Sequence, residues 1–329
     1  MKSLSRGGRR VGDLVVALCL MGLFTACSPK APGGGAHPSV VLKVASQKGG
    51  VKALMLASHA LDGAPYTVEW SEFPAAQPLL EALSGGAVDL GAVGDAPFLF
   101  AYANDPKLRV VQVYRSGAGG HAVAVVVPAH SPIRTPADLK GRRIATGKGS
   151  IGHYLLLRLL EQANLKASDV QVVFLSPGDA KAALGGGSVD AWSTWGAYIG
   201  LETLHGGGRV LADGTGLLNS YGFQASSAPS ISAKAPQIAD FLHRLTVAQH
   251  WEQNHIGDYA KVLARETGLP EDVAIETVKF QHPETVPITS QVIAEERDTL
   301  GHFVTAGVIP AAPRTDGAFD PRFNASAKP

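Results

Sequence analysis

The chain has 329 residues, 45% of them hydrophobic and 17% charged, with 29 Lys and Arg set against 28 Asp and Glu. That is enough for one or two globular domains with a buried core, and it excludes a chain disordered throughout. The even charge balance excludes the basic footprint of a nucleic-acid binder, and two cysteines exclude a disulfide framework.

Residues 1–26 read as an export signal. Lys2, Arg6, Arg9 and Arg10 precede an apolar run from Leu14 to Phe24, too short to span a bilayer stably, and small residues follow. Leu23-Phe24-Thr25-Ala26-Cys27 resembles a bacterial lipoprotein box, which implies lipidation of Cys27 and attachment to a membrane. Cys19 lies in the leader, so the mature chain keeps at most one cysteine and no internal disulfide. Residues 27–39, rich in Pro and Gly, are expected to be a flexible tether.

From Val40 the chain alternates short strands and helices. Strands are predicted over 40–45, 66–73 and 88–93, and helices over 51–61, over 79–83 and from Gly94-Asp95-Ala96-Pro97. Two further strands, 108–113 and 122–127, flank the Gly-rich loop Tyr114 to His121. A strand (142–146), a helix (151–163), a strand (170–175) and a helix (179–184) then retrace the opening plan. Amphipathic helices are predicted between 235 and 268, over 271–278 and over 291–306, covering the first sheet. The polar tail after Ala311 is expected to be loosely held.

The retracing is visible in the residues themselves. Ala82-Leu83-Ser84-Gly85-Gly86-Ala87-Val88-Asp89 is echoed by Ala183-Leu184-Gly185-Gly186-Gly187-Ser188-Val189-Asp190, and the turn Gln47-Lys48-Gly49-Gly50 by Gly147-Lys148-Gly149-Ser150. One long period with two copies indicates paired lobes. The expected division is lobe 1 over 40–127, lobe 2 over 128–220, a return to lobe 1 over 221–311, and a tail over 312–329. Each lobe is α/β, with a mainly parallel sheet.

Ligands of open α/β sheets collect where strands run into helices, and helix starts offer unpaired N–H groups to anions. Gln47 to Gly50, Gly94-Asp95, Gly147 to Ser150 and Trp192 to Trp195 are four such turns. Each has a blander reading: a tight turn for the glycines, core packing for Trp192 and Trp195, solvated cations for Lys48 and Lys148, and backbone hydrogen bonding for Asp89 and Asp190. His153, one turn into a helix, could face the cleft or bond to nearby backbone. The histidines make no metal pattern, and no nucleophile elbow or dinucleotide fingerprint is present. No metal or cofactor is expected, and binding fits better than turnover.

Several stretches carry a resemblance to a known family. Gln47-Lys48-Gly49, Glu72-Phe73-Pro74, Val88-Asp89-Leu90-Gly91, Gly94-Asp95-Ala96-Pro97, Ala137-Asp138-Leu139-Lys140-Gly141, His153-Tyr154-Leu155-Leu156 and Gly187-Ser188-Val189-Asp190-Ala191-Trp192 resemble the aliphatic sulfonate substrate-binding proteins of ABC importers, in order from about Val41 to Pro310. Wider relatives bind taurine, nitrate or thiamine precursors, and a thiamine-pyrimidine-synthase-like enzyme shares the fold family.

The resemblance implies a type II periplasmic binding fold, two α/β lobes joined by two crossovers and closing on a ligand. It also implies a monomer that takes a small alkanesulfonate, no nucleic acid, and a membrane permease driven by a cytoplasmic ATPase. The site it implies comprises Gln47, Gly94, Asp95, Ser150, His153, Trp192 and Trp195, with the sulfonate oxygens near Gln47, Gly94, Ser150 and His153 and the alkyl part on the indoles. Two departures stand out: Gly196-Ala197 replaces the Asp-Pro common after the second Trp, and the Tyr114 to His121 loop is unusually rich in glycine. Both are expected to bear on chain length or head-group preference.

Overall fold

The computed structural model of the chain describes residues 40–48 and 50–327; the export signal, Cys27 and the tether lie outside the described residues. The first sheet is built from β1 (Val41–Gln47), β2 (Thr67–Phe73), β3 (Leu90–Gly94) and β4 (Leu108–Arg115), with α1 (Val51–Ala57), α2 (Ala76–Ser84) and α3 (Asp95–Tyr102) between them. The second contains β5 (Val123–Pro128), β6 (Arg143–Thr146), β7 (Gln171–Phe174), β8 (Ala191–Trp195) and β9 (Gly208–Asp213), with α4 (Ile151–Gln162), α5 (Pro177–Gly185) and the short α6 (Ala197–Gly200). The chain then returns to the first sheet through β10 (Tyr221–Ser227), α7 (Ala228–Glu252), α8 (Ile256–Thr267), α9 (Glu271–Gln281), β11 (Glu284–Val286) and α10 (Ser290–Thr305).

Strand order is β11-β4-β10-β3-β1-β2 in one sheet and β7-β6-β8-β5-β9 in the other. The two sheets share a plan, because β2-β1-β3-β10-β4 matches β7-β6-β8-β5-β9. Among the named strands, parallel pairing joins β2, β1 and β3 in one sheet and β7, β6 and β8 in the other, as β–α–β connections dictate. The strand that crosses over, β10 in one sheet and β5 in the other, runs antiparallel to its neighbours. Each sheet is therefore mixed where a mainly parallel one is expected. The 122–127 strand also belongs to the second sheet, which moves the crossover from the expected 127/128 boundary to the loop before Val123.

The sequence repeat is structural. Asp89 and Asp190 each accept a backbone N–H from the first half of the neighbouring strand, from Lys43 of β1 and Arg143 of β6, both at 2.8 Å. Their own N–H groups donate to the carbonyls of the same two residues, again at 2.8 Å. The preceding Gly86 and Gly187 adopt φ +71° and +70°, the left-handed turn that ends α2 and α5. Asp89 is further tied to Lys234 Nζ at 2.6 Å, and Lys234 sits where α7 kinks just before Pro236.

Apolar faces cover both sheets. One cluster joins α2, α3 and α10 to the first sheet through Leu79, Phe98, Phe223 and Phe303, and it reaches Tyr154 of α4, so that α10 touches both lobes. A second joins α1, α7 and α8 to the opposite face through Leu54, Phe241 and Leu263. The second sheet is packed by Leu155, Leu156 and Leu159 of α4 on one side and by Ala180, Leu184 and Trp192 on the other.

The tail is not loosely held, contrary to its polar composition. Val110 N–H donates to Ala318 O at 2.7 Å and Asp320 N–H to Val110 O at 2.8 Å, adding backbone to an open strand edge, while Phe319 and Phe323 are buried. Three aromatic or alanine side chains in a polar stretch suffice to anchor it.

Candidate functional site

The two lobes enclose a cleft of about 550 Å³. Its walls include the turns after β1, β3, β6 and β8, where strand ends meet helix starts. The lobes approach closely there: a Cβ added to Gly94, the N-cap of α3, would lie 3.9 Å from Ile151 Cβ at the start of α4. Two helix starts thus face one another across the gap; that of α4 carries the partial positive charge of unpaired N–H groups, whereas that of α3 is taken up by the Asp95 carboxyl and by Pro97.

At the start of α4, Ser150 Oγ accepts the His153 N–H at 3.1 Å, and the Ser150 N–H donates to Gly147 O at 3.1 Å. The Gly149 N–H donates to His153 Nδ1 at 3.2 Å, which puts the ring proton on Nε2. The Ile151 and Gly152 N–H groups are the helix-start donors that this capping arrangement leaves over among the described residues, and Ile151 lines the cleft wall. His153 itself does not line the cleft: it is buried, edge-on to Phe174 at 5.1 Å. Burial and then the Lys148 charge push it down to about 4, so it stays neutral and shapes the turn from behind.

The start of α3 is different. Asp95 is 1% exposed and its Oδ1 accepts the Ala96 N–H at 2.6 Å, while Pro97 has no N–H to give. Burial pushes its carboxyl up to about 7. Buried Glu296 on α10 is pushed well above the carboxylate range by burial and then by the Asp95 charge, so the two acids are not ionised together at neutral pH. A neutral carboxyl beside the cleft can donate a hydrogen bond to an anion; an ionised one repels it. Half-buried Tyr114 is pushed up to about 12 by burial and then by the same Asp95 charge.

Gln47, Gly94, Asp95, Ser150 and Trp195 all line the cleft, and Gln47 Nε2 is tied to Ala92 O at 2.7 Å. Trp192 does not, and the expected two-indole wall is corrected accordingly. Side chains alternate along a strand, so residues three apart on β8 point to opposite faces. Trp192 is 1% exposed in the core with Val126, Ala145 and Leu184, whereas Trp195 lines the cleft and meets Tyr198 edge-on at 5.9 Å.

The apolar wall is completed by Phe100, Tyr114, Phe174, Tyr198 and Tyr221. Tyr198 Oη also donates to Pro74 O at 3.0 Å, from one lobe to the other. The Gly-rich Tyr114 to His121 loop borders the cleft but is shaped by the crossovers: Gly214 N–H donates to Gly120 O at 3.1 Å, and a Cβ on Gly120 would lie 2.0 Å from the Gly214 carbonyl carbon. Bare backbone is needed where the two connections touch.

Residues that the strand-to-helix turns did not flag also line the floor, among them Gln224, Gln249, Glu252 and Tyr259. A signal for two of them was present. Gln249 and Glu252 continue the Ile238, Phe241, Leu242, Leu245 stripe of α7 at helical spacing, and polar residues on a buried stripe have a reason to be there. Among the described residues no group of three or more His, Cys, Asp or Glu side chains could hold a metal ion.

Two α/β lobes, two crossovers and a cleft lined by opposed helix starts define a bilobal solute-binding protein of the periplasmic type. Residues 73–239 match the family model described as NMT1/THI5 like. The chain is 35% identical over 300 residues to an aliphatic sulfonates-binding protein of Escherichia coli strain K12, covering 90% of this chain and 93% of that one. The structure resembles the alkanesulfonate-binding protein SsuA of Xanthomonas axonopodis pv. citri bound to MOPS (TM-score 0.77, 34% identity, 88% of this chain and 97% of that one). It also resembles the periplasmic aliphatic sulphonate binding protein SsuA of Escherichia coli (TM-score 0.74, 34% identity, 86% and 91%). The chain belongs to this family of aliphatic sulfonate-binding proteins.

Proposed function

We propose that the protein captures an aliphatic sulfonate in the interlobe cleft and delivers it to the membrane permease of an ABC importer, without chemical turnover. The observation that carries the reading is the opposition of α3 and α4 at Gly94 and Ile151, inside a cleft that also presents the rings of Phe100, Phe174, Trp195 and Tyr198. A sulfonate has three oxygens that accept hydrogen bonds and no proton to donate. Fixed N–H groups and, below about pH 7, a neutral Asp95 replace its water, each such charge-assisted bond contributing roughly 1.5–3 kcal/mol. The indole of Trp195 and the rings of Phe100, Phe174 and Tyr198 take the alkyl part, and Gln47 and Ser150 hold the turns that aim the donors.

The basic, then apolar, then small pattern of residues 1–26 and the box ending at Cys27 support export and a lipid anchor, with 27–39 as tether and the monomeric lobes working in the periplasm or at the cell surface. No helix among the described residues is long and apolar enough to cross a membrane. Calorimetric titration of the mature chain with methane- to octanesulfonate, taurine, sulfate and nitrate tests the reading. Saturable binding of alkanesulfonates, and weaker binding of sulfate and nitrate, is expected. Heat only with nitrate or sulfate, or with none of the series, contradicts it.

A further inference from the structure

The cleft floor on the first lobe is rich in hydrogen-bond acceptors, and the sulfonate site does not use them. Glu252 and Gln224 are each 1% exposed, both line the cleft, and Glu252 Oε1 and Gln224 Oε1 have no hydrogen-bond partner among the described residues. An unpaired buried acceptor is costly, and two in one cavity call for a donor.

The strand register places them. Gln224 is opposite Gln112, and Gln112 Nε2 donates to Leu242 O at 3.3 Å and Thr246 Oγ1 at 3.1 Å, so this face of the sheet looks toward α7. Leu245, Gln249 and Glu252 continue along that helix and line the same cleft. Gly222, two residues before Gln224, pairs with Gly94 at the start of α3. Gln224 therefore lies about 7 Å further along β10 than the residue paired with the start of α3. The floor residues Gln224, Gln249, Glu252 and Tyr259 include no cation, and Gln249 Oε1 is already taken by Thr285 Oγ1 at 2.6 Å.

We propose that Glu252 and Gln224 form an ammonium subsite, so that the preferred substrates are short sulfonates carrying an amine at the far end from sulfur. The inference rests on the sulfonate reading above and narrows its substrate class. Burial pushes the Glu252 carboxyl up to about 8, the behaviour of an acid buried without a counter-ion until a cationic ligand arrives.

3-Aminopropane-1-sulfonate and butane-1-sulfonate have the same number of heavy atoms and differ in one ammonium for one methyl. Calorimetric titration of the mature chain with both should show the amine bound about tenfold or more tightly, and Glu252→Gln should reduce that ratio about tenfold. Gln224→Met is the second variant, with thermal unfolding of each confirming the fold, and it too should lower the ratio. A ratio near one in the unmodified protein, or one that neither variant lowers, overturns the subsite while leaving the sulfonate site standing. Failure of both compounds to bind overturns the sulfonate reading itself.

Discussion

Closure of the lobes can be tested at one atom. Gly149 sits at φ +69° with Phe100 against it, and a Cβ there would lie 2.3 Å from Phe100 Cδ1 and 2.5 Å from Cγ. Carbon atoms in contact are about 3.5–4.0 Å apart, so Gly149→Ala demands a movement of more than about 1 Å. Phe100 belongs to α3 of the first lobe and packs on Phe303 at 6.2 Å, while Gly149 belongs to the second. Separating the lobes at this contact relieves the overlap.

Two effects then separate. The left-handed backbone costs an alanine about 1–2 kcal/mol, open or closed, and lowers thermal stability without ligand. The overlap, about 1–3 kcal/mol on the scale of overpacked sites, exists only when the lobes are closed, and weakens Kd for a short alkanesulfonate about 5- to 150-fold. Calorimetry and ligand-free melting read the two effects independently. Adding Phe100→Ala should recover part of the lost affinity. A single variant with unchanged Kd, or a double variant that binds no better than the single, refutes closure at this contact.

Trp192→Ala should cost about 3–5 kcal/mol of stability, as core deletions do, whereas Trp195→Ala should spare the melt and weaken long-chain sulfonates more than short ones; denaturant unfolding and chain-length titrations check the pair. Because Asp95 is raised to about 7, it is neutral below that pH and negative above it. Sulfonate affinity should therefore fall as pH rises from 6 to 8, by up to about tenfold per unit above the transition, and Asp95→Asn should flatten that profile. Gly120→Ala pushes a Cβ into the Gly214 backbone and should lower the melting midpoint by several degrees in calorimetry, since about 1–3 kcal/mol is lost from a domain of this size. Asp89→Ala strands Lys234, Ser230 and the Lys43 N–H, while Asp190→Ala strands the Arg143 N–H and frees its partly exposed guanidinium. In urea the first should lose clearly more stability than the second.

The paired-lobe plan was legible because each local device repeats: the glycine that ends a helix, the aspartate that pins the neighbouring strand, the small-residue turn before the next helix. Such signals act within a few residues and survive without knowledge of tertiary contacts. The turns at Gln47, Gly94, Ser150 and Trp195 were readable on the same ground, since a strand running into a helix defines a rim. What escaped depends on the other lobe or on strand pairing. The odd spacing that turns Trp192 inward shows only once β8 is known to be a strand through both residues, and the neutral, buried setting of His153 comes from Phe174 and Phe303. The glycines of 117–120 read as a departure near the ligand, yet Gly120 answers to Gly214, 94 residues away by the register of the crossovers. The packed tail was hidden by its polar composition, because three buried side chains outweigh it locally.

The most direct measurement locates the ligand's sulfur. Crystals of the mature chain grown with propane-1-sulfonate and diffracted at a wavelength where sulfur scatters anomalously should show one peak belonging to no Met or Cys, between the starts of α3 and α4 and within reach of the Ile151 N–H and the Asp95 carboxyl. A ligand peak elsewhere, or a cleft that closes without one, contradicts capture by opposed helix starts.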